Sequence, residues 1–301
     1  MTTHFPAVAP RSAVSRFELF ARDIKISHTV FALPFAMLST FLAAGGVPQA
    51  GKLLLILVCM VTARTVAMSA NRLLDAQLDA LNPRTAGRAI PSGRLSPRFY
   101  AAALAACSLA FVVATTGFWF AYRNPWPVIL AVPVLLFLCA YPLLKRFTRL
   151  CHYYLGAALA LAPVCAWIAM TGSLAAPPLW MAAAVLCWTA GFDIIYACQD
   201  YRSDLECGVF SVPAKVGVGP ALWVARFTHA TCVAMLVLLG RSTPLLGTLY
   251  FVGVVAAVAL LVVEHSLVKP TDLSKVNLAF FTFNGVISLL LGTLGIVDVF
   301  V

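Results

Sequence analysis

Five of the eleven acidic residues of this 301-residue chain lie in two short segments. With an asparagine that precedes the first pair, the oxygen-bearing side chains are Asn71, Asp75, Asp79, Asp193, Asp200 and Asp204. In a helix, spacings of i, i+4, i+8 and of i, i+7, i+11 keep side chains on one face, so each segment predicts a strip of oxygen ligands. Crowded carboxylates repel one another, whereas Mg²⁺ prefers oxygen ligands and completes its shell with phosphate oxygens. The strips favour two Mg²⁺ ions around a diphosphate over the simpler alternative of solvated helix ends.

Basic residues gather beside both acidic segments. They are Arg84, Arg88, Lys145 and Arg146. Arginine forks and lysine point charges are the usual protein ligands of phosphate oxygens. Each basic stretch alone is typical of a positively charged loop. Next to two acidic strips, they favour the cationic half of a diphosphate site.

The elements that position these residues are predicted membrane spans. Hydrophobic residues make up 62% of the chain and charged residues 11%, with a mean hydropathy of +0.94. A soluble domain is about 45–50% apolar and about 25% charged. The apolar runs are each near the roughly 20 residues that a helix needs to cross the hydrocarbon core. Nine runs are predicted, at 29–48, 53–74, 100–121, 126–144, 151–171, 178–199, 221–240, 244–263 and 277–298. This composition predicts an all-α integral membrane protein, a bundle of about nine transmembrane helices.

Positive charge predicts the orientation of the bundle. With the N-terminus in the cytoplasm, sixteen Lys and Arg residues lie on that side and three on the other, as the positive-inside rule requires. The net charge of +10 is therefore a sign of topology and not of nucleic-acid binding. We expect a cytoplasmic segment at 1–28 without a cleavable signal, followed by one polytopic domain at 29–301.

The acidic segments resemble the two aspartate motifs of the UbiA-type intramembrane aromatic prenyltransferases. The pattern of that family is roughly NDxxDxxxD on one helix and DxxxD on another. Asn71, Asp75 and Asp79 match the first motif, while Asp200 and Asp204 match the second.

Further stretches are similar to the same family. They include 84–93 (RTAGRAIPSG) and 141–146 (YPLLKR), and Asp193 and Tyr196 precede the second motif as family members often show. The order of elements also agrees along nearly the whole chain. One departure is Arg72, which stands where the family pattern usually has Asp.

The resemblance implies a central cavity and Mg²⁺-dependent transfer of a polyprenyl group from its diphosphate to an aromatic acceptor. The chain most resembles the 4-hydroxybenzoate polyprenyltransferase-like proteins, which include the futalosine-route menaquinone branch. The acceptor is then a 4-hydroxybenzoate-like or naphthoate ring in ubiquinone or menaquinone biosynthesis. The other partner is membrane lipid, at a bacterial inner membrane with the site toward the cytoplasm. No obligate protein partner is expected.

The implied roles fall into three groups. Expected catalytic residues are Asp75, Asp200, Lys145 and Arg146. Expected substrate-binding residues are Arg64, Asn71, Arg84, Arg88, Tyr141, Asp193 and Tyr196. Expected metal ligands are Asn71, Asp75, Asp79, Asp200 and Asp204.

Arg64 lies inside the second predicted span, seven residues before Asn71 and on the same helix face. An arginine at that depth needs a partner. It could bind a carboxylate of the acceptor, or it could pair with Asp193 or with backbone carbonyls as a structural contact.

Two other classes of protein share some of these features. An ion-coupled transporter also carries membrane carboxylates and proline-broken helices. Its acids would not be expected to gather at one face beside phosphate-binding cations. Another lipid-diphosphate or head-group transferase with paired aspartates is the second alternative. The CDP-alcohol type ordinarily has a DG dipeptide in its aspartate motif, and this chain has none there.

Overall fold

The computed structural model describes residues 13–25, 29 and 31–301. This part of the chain is built from helices and turns, with one isolated β-bridge between Lys269 and Asp272. The long helices are α2 (Leu33–Ala44), α3 (Ala50–Leu74), α5 (Pro97–Tyr122), α6 (Trp126–Leu144), α7 (Cys151–Thr171), α8 (Ala176–Ala197), α11 (Val218–Ser242), α12 (Thr248–Leu267) and α14 (Asn284–Asp298). The shorter helices are α1 (Ala13–Asp23), α4 (Ala76–Leu81), α9 (Tyr201–Cys207), α10 (Val212–Val216) and α13 (Val276–Leu278).

Within the described residues, eight helices are long and apolar enough to cross a membrane. They correspond to eight of the nine predicted spans. The first predicted span, 29–48, contains only the 12-residue helix α2. The integral membrane class is confirmed, while the count of nine and the cytoplasmic N-terminus stay predictions. Most of the predicted segment 1–28 lies outside the described residues, apart from 13–25, which includes α1.

Proline lies at two kinds of position in these helices. Pro133 and Pro163 are inside α6 and α7. Pro34 lies in the first turn of α2. Proline fits there because its missing N–H has no partner in the first turn of any helix.

The bundle has two halves joined by α2 and α7. One half packs α3 against α5 and α6, and the other packs α8 against α11, and α12 against α14. α7 contacts α2, α3, α6 and α8, so it lies between the halves. Trp188 of α8 and Phe35 of α2 are almost fully buried and contact each other in the core of the second half. The space between the halves is where the candidate site lies.

Three helices change their geometry at one end of the bundle. α3 passes into α4 at Asp75, where the backbone still donates from Asp75 to Asn71 and from Asp79 to Asp75. α8 passes through a 3₁₀ turn, Cys198–Asp200, into α9. α13 leads into a π-helical turn at Ala279–Phe283 before α14. We call this the polar end of the bundle, defined by Asp75 and Asp200.

Candidate active site

A polar cavity lies at the polar end, between α3, α4, α8 and the loop that follows α4. All but one of the thirteen residues predicted for the site line this cavity. The structure therefore brings both acidic strips and most of the expected cations to one place. The exception is Arg146.

Arg146 is exposed and donates a hydrogen bond to the carbonyl of Leu74, at the end of α3. The last carbonyls of a helix have no partner within the helix and attract cationic side chains. Arg146 therefore contacts the helix end, whereas its neighbour Lys145 points to the carboxylates.

Lys145 binds the centre of the first strip. Its Nζ donates to Asp75 Oδ2 over 2.7 Å, and Asn71 Nδ2 donates to the same oxygen over 2.9 Å. The Asp75 side chain is 1% exposed. Burial raises the pKa of the Asp75 carboxyl, and the charge of Lys145 opposes that rise. Its other oxygen, Oδ1, is buried and has no hydrogen-bond partner in the described part of the protein.

The two arginines of the loop after α4 bind one acid from each strip. Arg88 Nη1 lies 2.7 Å from both carboxylate oxygens of Asp79. Arg84 forms a fork with Asp200, with Nε–Oδ1 at 2.9 Å and Nη2–Oδ2 at 2.6 Å. Arg84 also donates to the hydroxyl of Tyr196 and lies 5.0 Å from the centre of that ring. Both strips are thus tied together through one loop.

The remaining two acids of the second strip have uncharged partners. Asp204 Oδ2 accepts a hydrogen bond from Ser211 over 2.7 Å. Asp193 Oδ2 lies 2.7 Å from Nδ1 of His152 on α7. We expected one continuous helix face for the second strip, but the 3₁₀ turn before α9 separates Asp193 from Asp204. Both still line the same cavity.

Two residues of this cavity were missed by the sequence analysis. His152 has no motif around it, and its role follows only from its contact with Asp193. Lys25 was counted only as a charge of the N-terminal segment, yet its side chain lines the cavity and lies 4.8 Å from the centre of the Phe281 ring. Burial, together with the smaller effects of the charges of Arg88, Arg72 and Arg84, lowers the pKa of Lys25 to about 8. This pKa shift reflects the burial of Lys25 and the positive charge around it at the polar end.

A second cavity, almost entirely apolar, continues from the polar one between α3, α5, α6 and α7. It runs along α3 from Asn71 to Ile56, which is about 22 Å at 1.5 Å per residue. The two cavities share six lining residues, among them Arg64, Asn71 and Tyr141. A ligand with a charged head and an apolar tail could therefore lie across both.

Arg64 lies where the cavities meet. Its Nη2 donates to the carbonyl of Lys25 over 3.2 Å, so a backbone contact exists, as one of our alternatives expected. Its Nε is buried and finds no acceptor among the residues that the structure describes. A guanidinium with a free buried donor can still bind a carboxylate.

The carboxylates of the polar end offer oxygen donors for a metal ion, and this fits Mg²⁺. That ion takes one or two carboxylates and completes its shell with water and phosphate. In the described part of the chain, no three acidic, His or Cys side chains lie close enough together to form a ready-made metal cluster. The carboxylates are paired with cations instead, because Lys145, Arg84 and Arg88 each bind one of them. The orphaned Oδ1 of Asp75 is the clearest free ligand atom.

Arg72, the departure from the family pattern, turns away from the acids. Its Nε and Nη2 bind the side chain and carbonyl of Asp23 on α1 over 3.0 and 2.7 Å, and Nη1 binds Asn71 Oδ1 over 2.8 Å. Asp23 also accepts from the Tyr100 hydroxyl and from the backbone N–H of Ala89. Arg72 thus fastens α1 to the bundle and engages the amide oxygen that we expected Asn71 to offer to a metal.

Changing Arg72 to Asp, the residue usual in the family, should destabilise this protein. The Arg72 and Asp23 side chains are only 3% and 7% exposed, so two buried carboxylates would face each other. Breaking a buried pair costs about 3–5 kcal/mol, and we expect the melting temperature in detergent to fall by roughly 5–10 °C. Thermal unfolding would measure the effect. The charge swap Asp23→Arg with Arg72→Asp is the control and should regain part of the loss; an Arg72→Asp protein with unchanged melting temperature would contradict this role.

A membrane bundle with a charged cavity at one end that opens into an apolar cavity has the features of an enzyme for a lipid substrate with a charged head. The model of the UbiA prenyltransferase family matches residues 32–286. The chain therefore belongs to the UbiA prenyltransferase family, and it is a prenyltransferase.

Known relatives agree with this assignment. The chain is 26% identical to a 4-hydroxybenzoate octaprenyltransferase of Shewanella woodyi, over 91% of this chain and 94% of that protein. It is 29% identical to the enzyme of the same name from Aeromonas hydrophila, over 88% and 90% of the two chains.

Solved structures share the fold. The apo structure of a UbiA homolog from Aeropyrum pernix K1 superposes with a TM-score of 0.81, at 29% identity, over 91% of this chain and 98% of that one. A UbiA homolog from Archaeoglobus fulgidus bound to GPP and Mg²⁺ superposes with a TM-score of 0.70, at 18% identity, over 94% of this chain and 100% of that one.

Proposed function

We propose that this protein transfers a polyprenyl group from a polyprenyl diphosphate to an aromatic acid of the 4-hydroxybenzoate or naphthoate type, with Mg²⁺ as cofactor. The observation that carries the proposal is the continuity of the polar and apolar cavities at Arg64, Asn71 and Tyr141. The polar cavity suits the diphosphate, the apolar cavity suits the polyprenyl tail, and the junction at Arg64 suits the carboxylate of the acceptor. The product would serve quinone biosynthesis at a bacterial inner membrane, with the polar end toward the cytoplasm.

The cations of the polar end would bind the diphosphate. Lys145, Arg84 and Arg88 now bind carboxylates, and a diphosphate would offer the same donors competing oxygen acceptors. The carboxylates of Asp75, Asp79 and Asp200 would then be free to hold Mg²⁺, together with Asp204, which accepts from Ser211. The bound ion would supply charge neutralisation at the leaving oxygen.

The rest of the cavity would protect and direct the reacting carbon. Departure of the diphosphate leaves an allylic cation, which needs surroundings without water. The faces of Tyr141 and Tyr196, which line the cavity, can stabilise such a cation. Arg64 would bind the carboxylate of the acceptor at the junction with the apolar cavity and hold its ring near the cation.

A transfer assay with purified full-length protein in detergent tests this proposal. Polyprenyl diphosphates of several lengths are offered with hydroxybenzoates, hydroxynaphthoates and the matching phenols without a carboxylate, and products are identified by mass spectrometry. We expect a prenylated acid that forms with Mg²⁺ and disappears with EDTA. Loss of the acceptor carboxylate should lower kcat/KM about 100-fold, as for a lost charged hydrogen bond.

The variant Arg64→Leu sharpens the test of the acceptor. It should raise the KM for carboxylate acceptors, leave the KM for the donor unchanged, and remove the preference for acids over phenols. Donor binding without a product from any acid would contradict the proposed acceptor class.

A further inference from the structure

The contact between His152 and Asp193 assigns a protonation state to both side chains. His152 is 3% exposed, and its Nε2 lies 3.2 Å from the backbone nitrogen of Val212. A backbone N–H can only donate, so Nε2 accepts this hydrogen bond. The ring proton is then on Nδ1, which donates to Asp193 Oδ2 over 2.7 Å. An imidazolium would place an N–H against the N–H of Val212, so the imidazole is neutral and Asp193 is the charged partner.

Asp193 therefore differs from three of the acids around it, while Asp204, whose partner is Ser211, lies on α9 beyond the 3₁₀ turn. Asp75, Asp79 and Asp200 are each neutralised by a lysine or an arginine. Asp193 keeps its negative charge beside a neutral donor, and its side chain is 18% exposed to the cavity. A carboxylate that is not paired with a cation is the better proton acceptor.

Asp193 and Arg64 form a second polar layer, deeper in the bundle. Asp193 precedes Asp200 by seven residues on α8 and the turn after it, and Arg64 precedes Asn71 by seven residues on α3. Seven residues of helix rise about 10 Å, so both lie beyond the acids that face the diphosphate region. Both line the polar cavity, and Arg64 also lines the apolar one. This layer holds one cation and one anion, as the binding and deprotonation of an aromatic acid would need.

We propose that Asp193 is the base that removes the ring proton of the acceptor, and that His152 is a positioning residue that orients it. The inference rests on the proposed function. The C–O bond of the donor breaks, and its electron pair leaves with the diphosphate. A π pair of the acceptor ring forms the new C–C bond to the allylic carbon. The C–H pair at the attacked carbon then returns to the ring, the proton goes to the Asp193 carboxylate, and water later takes it up.

An isotope effect on the variant Asp193→Asn tests the base. Asparagine keeps the size of the side chain and an oxygen that accepts from His152, but it cannot take a proton. We expect kcat to fall about 10²–10⁴-fold, the usual range for a lost general base, while donor affinity is unchanged. Deuterium at the attacked ring carbon should give a primary kinetic isotope effect in the variant and little effect in the unchanged enzyme. Unchanged kcat, or a lower kcat without an isotope effect, would overturn the assignment.

Two changes at His152 separate positioning from general stability. Glutamine can donate to Asp193 and accept from Val212, so His152→Gln should keep most of kcat. His152→Leu can do neither and should show a lower kcat with the same isotope effect. If His152→Leu only lowers the melting temperature and leaves kcat and the isotope effect unchanged, His152 is a structural contact.

The two proposals fail in different ways. If the enzyme without substitutions forms no prenylated product, the proposed function and this inference are both overturned. If it forms the product and the Asp193→Asn variant has the same kcat, only the inference is overturned.

Discussion

Replacing Asp75 by alanine should lower kcat/KM by at least about 10³-fold, which corresponds to about 4 kcal/mol of transition-state stabilisation. Asp75 lies at the centre of the first acidic strip, and its buried Oδ1 is the clearest free ligand atom for Mg²⁺. Its other oxygen orients Lys145. The change removes a proposed metal ligand and misplaces a cation that we expect to bind the diphosphate.

The measurement is the rate of product formation over a range of Mg²⁺ concentrations. The variant should need more Mg²⁺ and still not reach the rate of the unchanged enzyme. Asp272→Ala is the matched control, because Asp272 is an exposed acid in the loop before α13 and should leave the rate unaffected. An Asp75→Ala protein within tenfold of the unchanged enzyme would contradict the metal site. Asp200→Ala should behave in the same way.

The change Lys145→Met should have the next largest effect, on both catalysis and stability. It removes the cation that lies 2.7 Å from Asp75 and leaves a buried carboxylate without its charged partner. Loss of one partner of such a pair typically costs about 3–5 kcal/mol, and loss of a charge that stabilises a leaving group costs about 10²–10³-fold in rate. We therefore expect a lower melting temperature together with a fall of about 100-fold or more in kcat/KM.

A double-mutant cycle separates the two parts of this effect. Asp75→Asn removes the charge that Lys145 neutralises, so the double variant should regain stability relative to Lys145→Met alone. Activity should not recover, because the proposed metal ligand and the cation are both missing. Fully additive losses of stability would show that the contact between the two side chains contributes little.

The class of the protein and the layout of its acids could be predicted from the sequence because both depend on local features. Apolar runs of membrane length identify the spans without any tertiary information. The rise and turn of a helix place Asn71, Asp75 and Asp79 on one face, and the backbone bonds through Asp75 keep that geometry. The second strip was less predictable, since nothing in the spacing indicates the 3₁₀ turn at Cys198–Asp200.

The pairing of charges required the tertiary structure, because it depends on how distant segments pack. Lys145 meets Asp75 across 70 residues, and Arg84 meets Asp200 across 116. The positive charge near the acids predicted a cationic site, but it could not show which cation pairs with which carboxylate. Of the adjacent residues Lys145 and Arg146, only the first faces the cavity, since the chain turns between them at the end of α6.

The sequence by itself determined a membrane bundle with oxygen ligands and cations at one end, since helix periodicity and apolar length are properties of neighbouring residues. Only the tertiary structure decided that Arg72 fastens Asp23, that His152 orients Asp193, and that the polar cavity opens into an apolar one at Arg64. Each of these contacts joins different helices or a helix and a loop. Their partners are set by the packing of α1, α3, α7 and α8 against one another, which no spacing along one helix records.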